Sequence, residues 1–360
     1  MNVPSEIIVI GGGIIGLSLA VELKLRGATV TVLSRDIKEA AAYAGAGMIA
    51  PQAERIPPSP MLDLCLYSRG MYEEWTRKLE GITGLETGYW SCGILAPVYE
   101  DSETDSNEDA EWFDRATIHQ FQPGLGENIM GGWWYPRDAQ VDNRRALIQC
   151  LRVAAEDLGV DFQEGVSVEE IQQKGDRAIA LKTNRGTIQG THYILATGAW
   201  SGQLLPISVY PRKGQMLSVR VPSSFPKLPL KQVLFGDNIY IVPRRDGLIV
   251  IGATVEDVEF APEITPQGIN QLLANAIRLY PALKDFPLQD FWWGYRPATP
   301  DEFPILGASP LENLTLATGH YRNGILLAPV TATLIADWVL TGQSNPLLTH
   351  FHWDRFLAES

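Results

Sequence analysis

The 360-residue chain has few cysteines, too little basic charge and no long apolar run. Its three cysteines, Cys65, Cys92 and Cys150, form no Cys-x-x-Cys pair and no even framework, which excludes a disulfide scaffold and a cysteine zinc site. That usage fits a reducing cytoplasm. Lys and Arg number 29 against 42 Asp and Glu, a formal net charge of −13. Phosphate backbones and anionic lipid repel such a molecule, so nucleic acid and membrane surface are excluded as partners of the whole chain. The nearly charge-free stretch Ile7–Ala20 is shorter than the roughly 20 residues a bilayer span needs. Glycines interrupt it, Glu6 precedes it, and Glu22, Lys24 and Arg26 follow, so it reads as neither a span nor a signal peptide. No repeat, no Ser/His/Asp set, no paired carboxylates and no metal-ligand cluster stand out.

What is present is an α/β pattern, long enough for about two domains. Ile7–Ile10 is a continuous apolar run, as in a parallel strand buried on both faces. Ile14–Arg26 has helical spacing and stops at Gly27, and Thr29–Leu33 is β-branched, completing a βαβ unit. Tyr193–Ala196 and Leu314–Ala317 are further strands running into glycine, the second followed by a helix over Gly324–Leu340. Asp142 opens a helix over Asn143–Gly159. Val209–Val221 and Ile239–Thr254 have strand character. The expectation is two domains discontinuous in sequence: 1–82, 141–206 and 296–360 form a Rossmann-type nucleotide-binding domain, and 83–140 with 207–295 a mixed β-sheet substrate domain. Glu100–Glu111 carries seven acids and no base and reads as a solvated loop.

Gly11, Gly13 and Gly16 stand in GxGxxG register between strand and helix. Gly11 permits the tight turn, Gly13 lets a pyrophosphate approach backbone, and Gly16 lets the helix pack on the sheet. The helix N-terminus favours the phosphate charge. The second strand ends in Ser34 where an acid is usual. Ser34 can still bond a ribose hydroxyl, and Arg35 can stack on adenine, meet a phosphate or simply face solvent, so the fingerprint leaves NADP open. There is no second GxGxxG to feed a flavin from NAD(P)H.

The segments AGAGMIAP (44–51), PRDAQVDNRRAL (136–147), YIVPRRDG (240–247), GYRPATPDEFPILG (294–307) and LATGHYRNGILLAP (316–329), in this order, resemble the D-amino-acid oxidase family of FAD enzymes. Its glycine-oxidising branch, tied to thiamine synthesis, is the most similar. The resemblance implies a Rossmann-type FAD domain and a mixed sheet over the flavin ring. It implies hydride loss from the substrate α-carbon to flavin N5, an imine hydrolysed to keto acid and ammonia, and O2 reduced to H2O2. By matching positions, Arg296 and Tyr240 would grip the substrate carboxylate and Arg322 would lie beside substrate and flavin. FAD would meet Ile14, Ile15, Ser34 and Arg35, then Ala46, Gly47 and Met48 beneath the ring, and the Val166 backbone at adenine. The helix start His320, Tyr321, Arg322, Asn323, Gly324, Ile325 and Leu326 would face the flavin's negative end. His320 itself is expected to be structural rather than a base. A related branch, monomeric sarcosine oxidase, holds its flavin through a cysteine; the matching position here is Gly294, so FAD is expected to be noncovalent.

The sequence departs from the family's pattern at Ser34, and at Ala41, Ala42 and Tyr43, where hydroxyl residues are common. Trp133-Trp134 and Trp292-Trp293 invite an aromatic cage, but neighbours on a strand face opposite ways, and packing is the expectation. His350 and His352 could share a strand face, yet no third metal ligand is in sight. The resemblance further implies a small amino-acid substrate, a homo-oligomer (a tetramer) and thiazole synthase as a recipient of the imine. Three other readings remain open: a D-amino-acid or glycine dehydrogenase passing electrons to a quinone or carrier, a nicotinamide enzyme, and a non-catalytic flavin binder.

Overall fold

A computed structural model describes residues 6–100 and 110–359. Most of the acidic stretch, 101–109, lies outside the described residues. Two large sheets organise the rest. The first has six strands, in spatial order Ile305–Ala308, Leu314–Thr318, His192–Leu195, Ile7–Ile10, Val30–Ser34 and Asp161–Glu164. Its pairs are parallel except the antiparallel edge pair Ile305–Ala308 with Leu314–Thr318. Ile7–Ile10 is fully buried, as its unbroken apolar sequence requires.

The second sheet has eight strands and is mixed: Val233–Gly236 runs parallel to Ile94–Val98, and the other pairs are antiparallel. The stretch read as one strand-like block, 239–254, is two strands, Ile239–Pro243 and Leu248–Gly252, turned at Asp246-Gly247. Leu288–Ala298 is one continuous edge strand, so the expected boundary at 295/296 cuts it and Arg296 belongs to the larger sheet. A three-stranded meander, Val168–Lys174, Arg177–Thr183 and Gly186–Ile188, was not anticipated. Its alternation is blurred by a bulge between Ala178 and Ala180.

The helix expected from Asp142 begins with a wide turn, Asn143–Leu147, before the α-helix Ile148–Asp157, and Asp142 accepts from the Arg145 N–H. The C-terminal helix, Gly324–Thr341, is apolar and long enough to cross a membrane by composition, but it packs between Ile14–Leu25 and Pro60–Thr83 in the core. Pro329 lies inside it, and proline has no N–H for the Ile325 carbonyl four residues back. The Tyr72 hydroxyl donates to that carbonyl at 2.6 Å, and Ser68 donates to the Leu326 carbonyl at 2.6 Å. The helix therefore continues through proline because its neighbour satisfies the freed groups.

His350 lies in a 3-10 segment, Pro346–Phe351, and His352 follows it with its Nδ1 hydrogen-bonded to Asp354. The shared strand face does not exist. No group of three or more His, Cys, Asp or Glu that could hold a metal occurs among the described residues.

Candidate functional site

A cavity of about 870 Å3 runs from the first turn of helix Ile14–Leu25 to the face of the eight-stranded sheet. That lies within the roughly 300–1,000 Å3 typical of ligand sites. At its nucleotide end the three fingerprint glycines have three different reasons. Gly11 sits at φ +115°, and a β-carbon there would strike the Ala196 carbonyl. A β-carbon at Gly16 would strike the Gly11 carbonyl, so Gly16 serves helix packing and does not line the cavity. At Gly13 a β-carbon would meet only Ala40 Cβ, at 3.5 Å. Protein packing does not demand glycine at 13; the bare backbone faces the cavity, where it can admit a pyrophosphate. No side chain caps this helix, so its first-turn N–H groups at Ile14 and Ile15 are directed to the same place. These features fit a dinucleotide cofactor.

Ser34, Arg35 and Val166 all line this end. Ser34 is buried, and the Arg35 guanidinium stacks 4.5 Å from the Trp200 ring centroid while pairing with Glu39. The Val166 N–H is committed to the Ser34 carbonyl at 3.0 Å, which leaves the Val166 carbonyl to accept from an aminopurine. Ala41 and Ala42 line the cavity without hydroxyls, whereas Tyr43 turns away beneath the Arg144 guanidinium.

The segment of Ala46, Gly47 and Met48 lines the middle. Gly47 is required by φ +79° and by the Val141 carbonyl and Asn143 side chain behind it, so its crowding comes from protein and not from the cavity side. Arg244, buried, donates to the Ala46 carbonyl at 2.7 Å, Trp292 Nε1 to that of Ala44 at 2.8 Å, and Asn143 Nδ2 to those of Ala42 and Gly45. Four backbone carbonyls of this floor are held from behind by side chains. Trp292 thus packs, Trp293 tilts against Tyr295, and Trp133 and Trp134 enter different core clusters; none of the four lines the cavity.

The start of helix Gly324–Thr341 adjoins this floor, with Ile325 against Gly45. His320, Tyr321, Arg322, Gly324 and Ile325 line the cavity; Asn323, at the N-cap, and Leu326, buried in the core, do not. The Tyr321 N–H donates to the Pro297 carbonyl at 2.9 Å, tying this loop to the Arg296 strand. His320 is buried with Nε2 3.1 Å from Thr331 Oγ1, and burial pushes its pKa down to about 3. A neutral, internally bonded imidazole is a structural group.

At the far end Arg296 and Tyr240 converge. Arg296 Nη1 donates to the carbonyls of Thr254 at 3.1 Å and Lys213 at 3.3 Å. Tyr240 Oη donates to Met216 Sδ at 3.3 Å, and burial raises its pKa. Arg322, exposed to the cavity, faces the same space. Two guanidiniums and a phenol so close together have the chemistry to bind a small carboxylate. Glu54 also lines this end and carried no signal in the sequence beyond its place three residues after the AGAGMIAP segment. Gly294 would drive a β-carbon into Ala44, and none of the three cysteines, all free, lines the cavity.

Comparison with known proteins gives the chain a family. The family described as FAD dependent oxidoreductase matches residues 6–338. The "Bifunctional protein ThiO/ThiG" of Trichormus variabilis is 61% identical over 99% of this chain, which spans only 56% of that protein. "Glycine oxidase" of Bacillus licheniformis is 31% identical over 96% of this chain and 95% of its own length. The crystal structure of glycine oxidase from Geobacillus kaustophilus superposes with a TM-score of 0.90 at 30% identity, covering 99% of both chains. The chain belongs to the FAD dependent oxidoreductase family and shares the fold of the glycine oxidases.

Proposed function

We propose that this chain oxidises glycine and similarly small amines, sarcosine and small D-amino acids among them. The observation that carries this reading is the convergence of Arg296, Arg322 and Tyr240 at the end of the cavity opposite the pyrophosphate-accepting turn. Bound FAD supplies the two-electron acceptor that takes a hydride from the substrate α-carbon and passes the electrons to O2. The chain's own residues orient the reaction. Arg296 presents its fork to the carboxylate, Tyr240 donates to the same group, and Arg322 offsets its charge from the helix side. Held by its carboxylate, a two-carbon substrate has little freedom in where its α-carbon lies. Glycine, O2 and water become glyoxylate, ammonia and H2O2, through an imine that thiazole synthesis for thiamine would consume. The nearly doubled length of a relative named as bifunctional accords with a second activity beside this one. The three free cysteines accord with a reducing cytoplasm.

The test is the visible spectrum of the FAD-loaded protein on anaerobic addition of glycine, followed by air. The reading expects a bleached flavin band that recovers in air with stoichiometric peroxide. A flavin that bleaches and stays reduced makes the protein a dehydrogenase with another electron acceptor. A flavin that glycine leaves unbleached overturns the substrate. Arg296→Ala must abolish the response to glycine while leaving the flavin bound.

A further inference from the structure

Glu54 is the carboxylate that the substrate-carboxylate receptor leaves unexplained. It lines the cavity, half-buried, and no hydrogen bond or ion pair ties its side chain to another described residue. Its place is held firmly. The preceding Ala53 N–H donates to Asp138 Oδ2 at 2.8 Å, and Asp138, fully buried, pairs with Arg69 at 2.9 Å. The turn is therefore pinned at 53 and the next side chain is left free at the cavity wall. The charged and titratable groups around it are Arg322, Arg296, Asp138, Glu302, Tyr240 and Cys65. An anion beside two guanidiniums that both have reason to hold a different anion is a receptor for the opposite end of a zwitterion.

We propose that Glu54 receives the α-ammonium group of the substrate and accepts its surplus proton. The inference rests on the amine-oxidising reading above. In the step, the N–H bond of the ammonium breaks and the proton goes to a Glu54 carboxylate oxygen, giving a neutral amine and a neutral carboxylic acid; no electrons are transferred. The neutral amine is the form whose lone pair can drive hydride loss from the α-carbon. Burial, opposed by the two arginines, raises Glu54 to about 7, which makes its carboxylate a better proton acceptor at neutral pH than an ordinary glutamate.

The test uses the FAD-loaded protein and two ligands. Acetate carries the carboxylate without the amine, and its affinity is read from the shift it causes in the flavin absorbance. In the wild type, acetate affinity falls as pH rises through about 7, because Glu54 becomes an anion beside it; in Glu54→Gln that dependence is flat. For glycine, kcat/KM of the wild type declines on the acid side of about 7, and Glu54→Gln removes that limb and lowers kcat/KM by about 100-fold, within the usual range for a lost general base. The proposal is overturned if the Glu54→Gln acetate profile keeps the wild-type slope, or if glycine kcat/KM changes less than about threefold. It is overturned equally if acetate binding is lost as strongly as glycine turnover, since Glu54 then supports the pocket and not the amine. Should Glu54→Gln fail to bind flavin, Glu54→Asp is measured in its place. It keeps the acid limb with a raised KM if the proposal holds, and matches the wild-type KM if it does not. A wild type that shows the acetate profile but leaves glycine unoxidised refutes the functional reading and not the placement of Glu54.

Discussion

The Arg296 guanidinium lies across the backbone of Gly214. A β-carbon at 214 would fall 2.5 Å from Nη1 and 2.6 Å from Nη2, closer than any real side chain is found. Arg296 is on the neighbouring strand, two residues along from the direct partner of Gly214, and folds back over the gap that glycine leaves. The Thr254 and Lys213 carbonyls, both accepting from Nη1, hold the guanidinium over that gap. The family resemblance identified the arginine; the glycine that aims it belongs to a different strand.

Gly214→Ala should therefore impair substrate binding through Arg296 without contacting substrate. We expect a KM for glycine raised about 30-fold, roughly the 2 kcal/mol of a charge-assisted hydrogen bond. The flavin spectrum should be retained. A melting temperature near wild type with an unchanged KM would show that Arg296 keeps its position by other means.

Gly13→Ala and Gly16→Ala should separate cofactor binding from folding. Gly13→Ala has room on the protein side and should fold, yet lose FAD affinity by at least tenfold, read as the flavin retained after dialysis. Gly16→Ala forces helix and turn apart and should cost about 1–3 kcal/mol of stability. Equal losses of stability in both variants would contradict this division.

Tyr72→Phe should destabilise the protein by about 1–3 kcal/mol although its ring packing is untouched, because the Ile325 carbonyl opposite Pro329 is left buried and unbonded. Adding Pro329→Ala, which restores an N–H for that carbonyl, should recover part of the loss. Urea unfolding of the two single variants and the double variant checks this, and an additive double variant would sink it.

Stability should fall on mild acidification. His320 is neutral when folded, with its pKa near 3, and takes a proton near 6.5 when unfolded. The unfolded state thus binds more protons, and this contribution is complete above about 6.5 and lost as pH falls toward 3. At pH 5 the loss from His320 is about 2 kcal/mol. His192, pushed down to about 4 by burial, adds to it. In His320→Gln the drop in unfolding free energy between pH 7 and pH 5 should be about 2 kcal/mol smaller; an identical drop would remove His320 from the account.

Local sequence was enough wherever the physics is local. The apolar run Ile7–Ile10, the glycine turn after it and the 3.6-residue spacing of Ile14–Leu25 specify a strand, a turn and a helix whatever else the chain does. The resemblance carried by GYRP and GHYRNG points to Arg296 and to the helix start because each sits in one short segment, and both line the cavity. Tertiary structure decided what depends on contacts across long sequence separations. A carboxylate at 54 becomes a site residue only because Asp138, 84 positions later, pins the turn before it. Pro329 is tolerated within a helix only because Tyr72 and Ser68 stand beside it. Gly13 and Gly16 look alike in the motif, and only the packed neighbours reveal that one makes room for ligand and the other for protein. Side-chain periodicity reports which face of an element is apolar, but not which distant backbone group that face will meet.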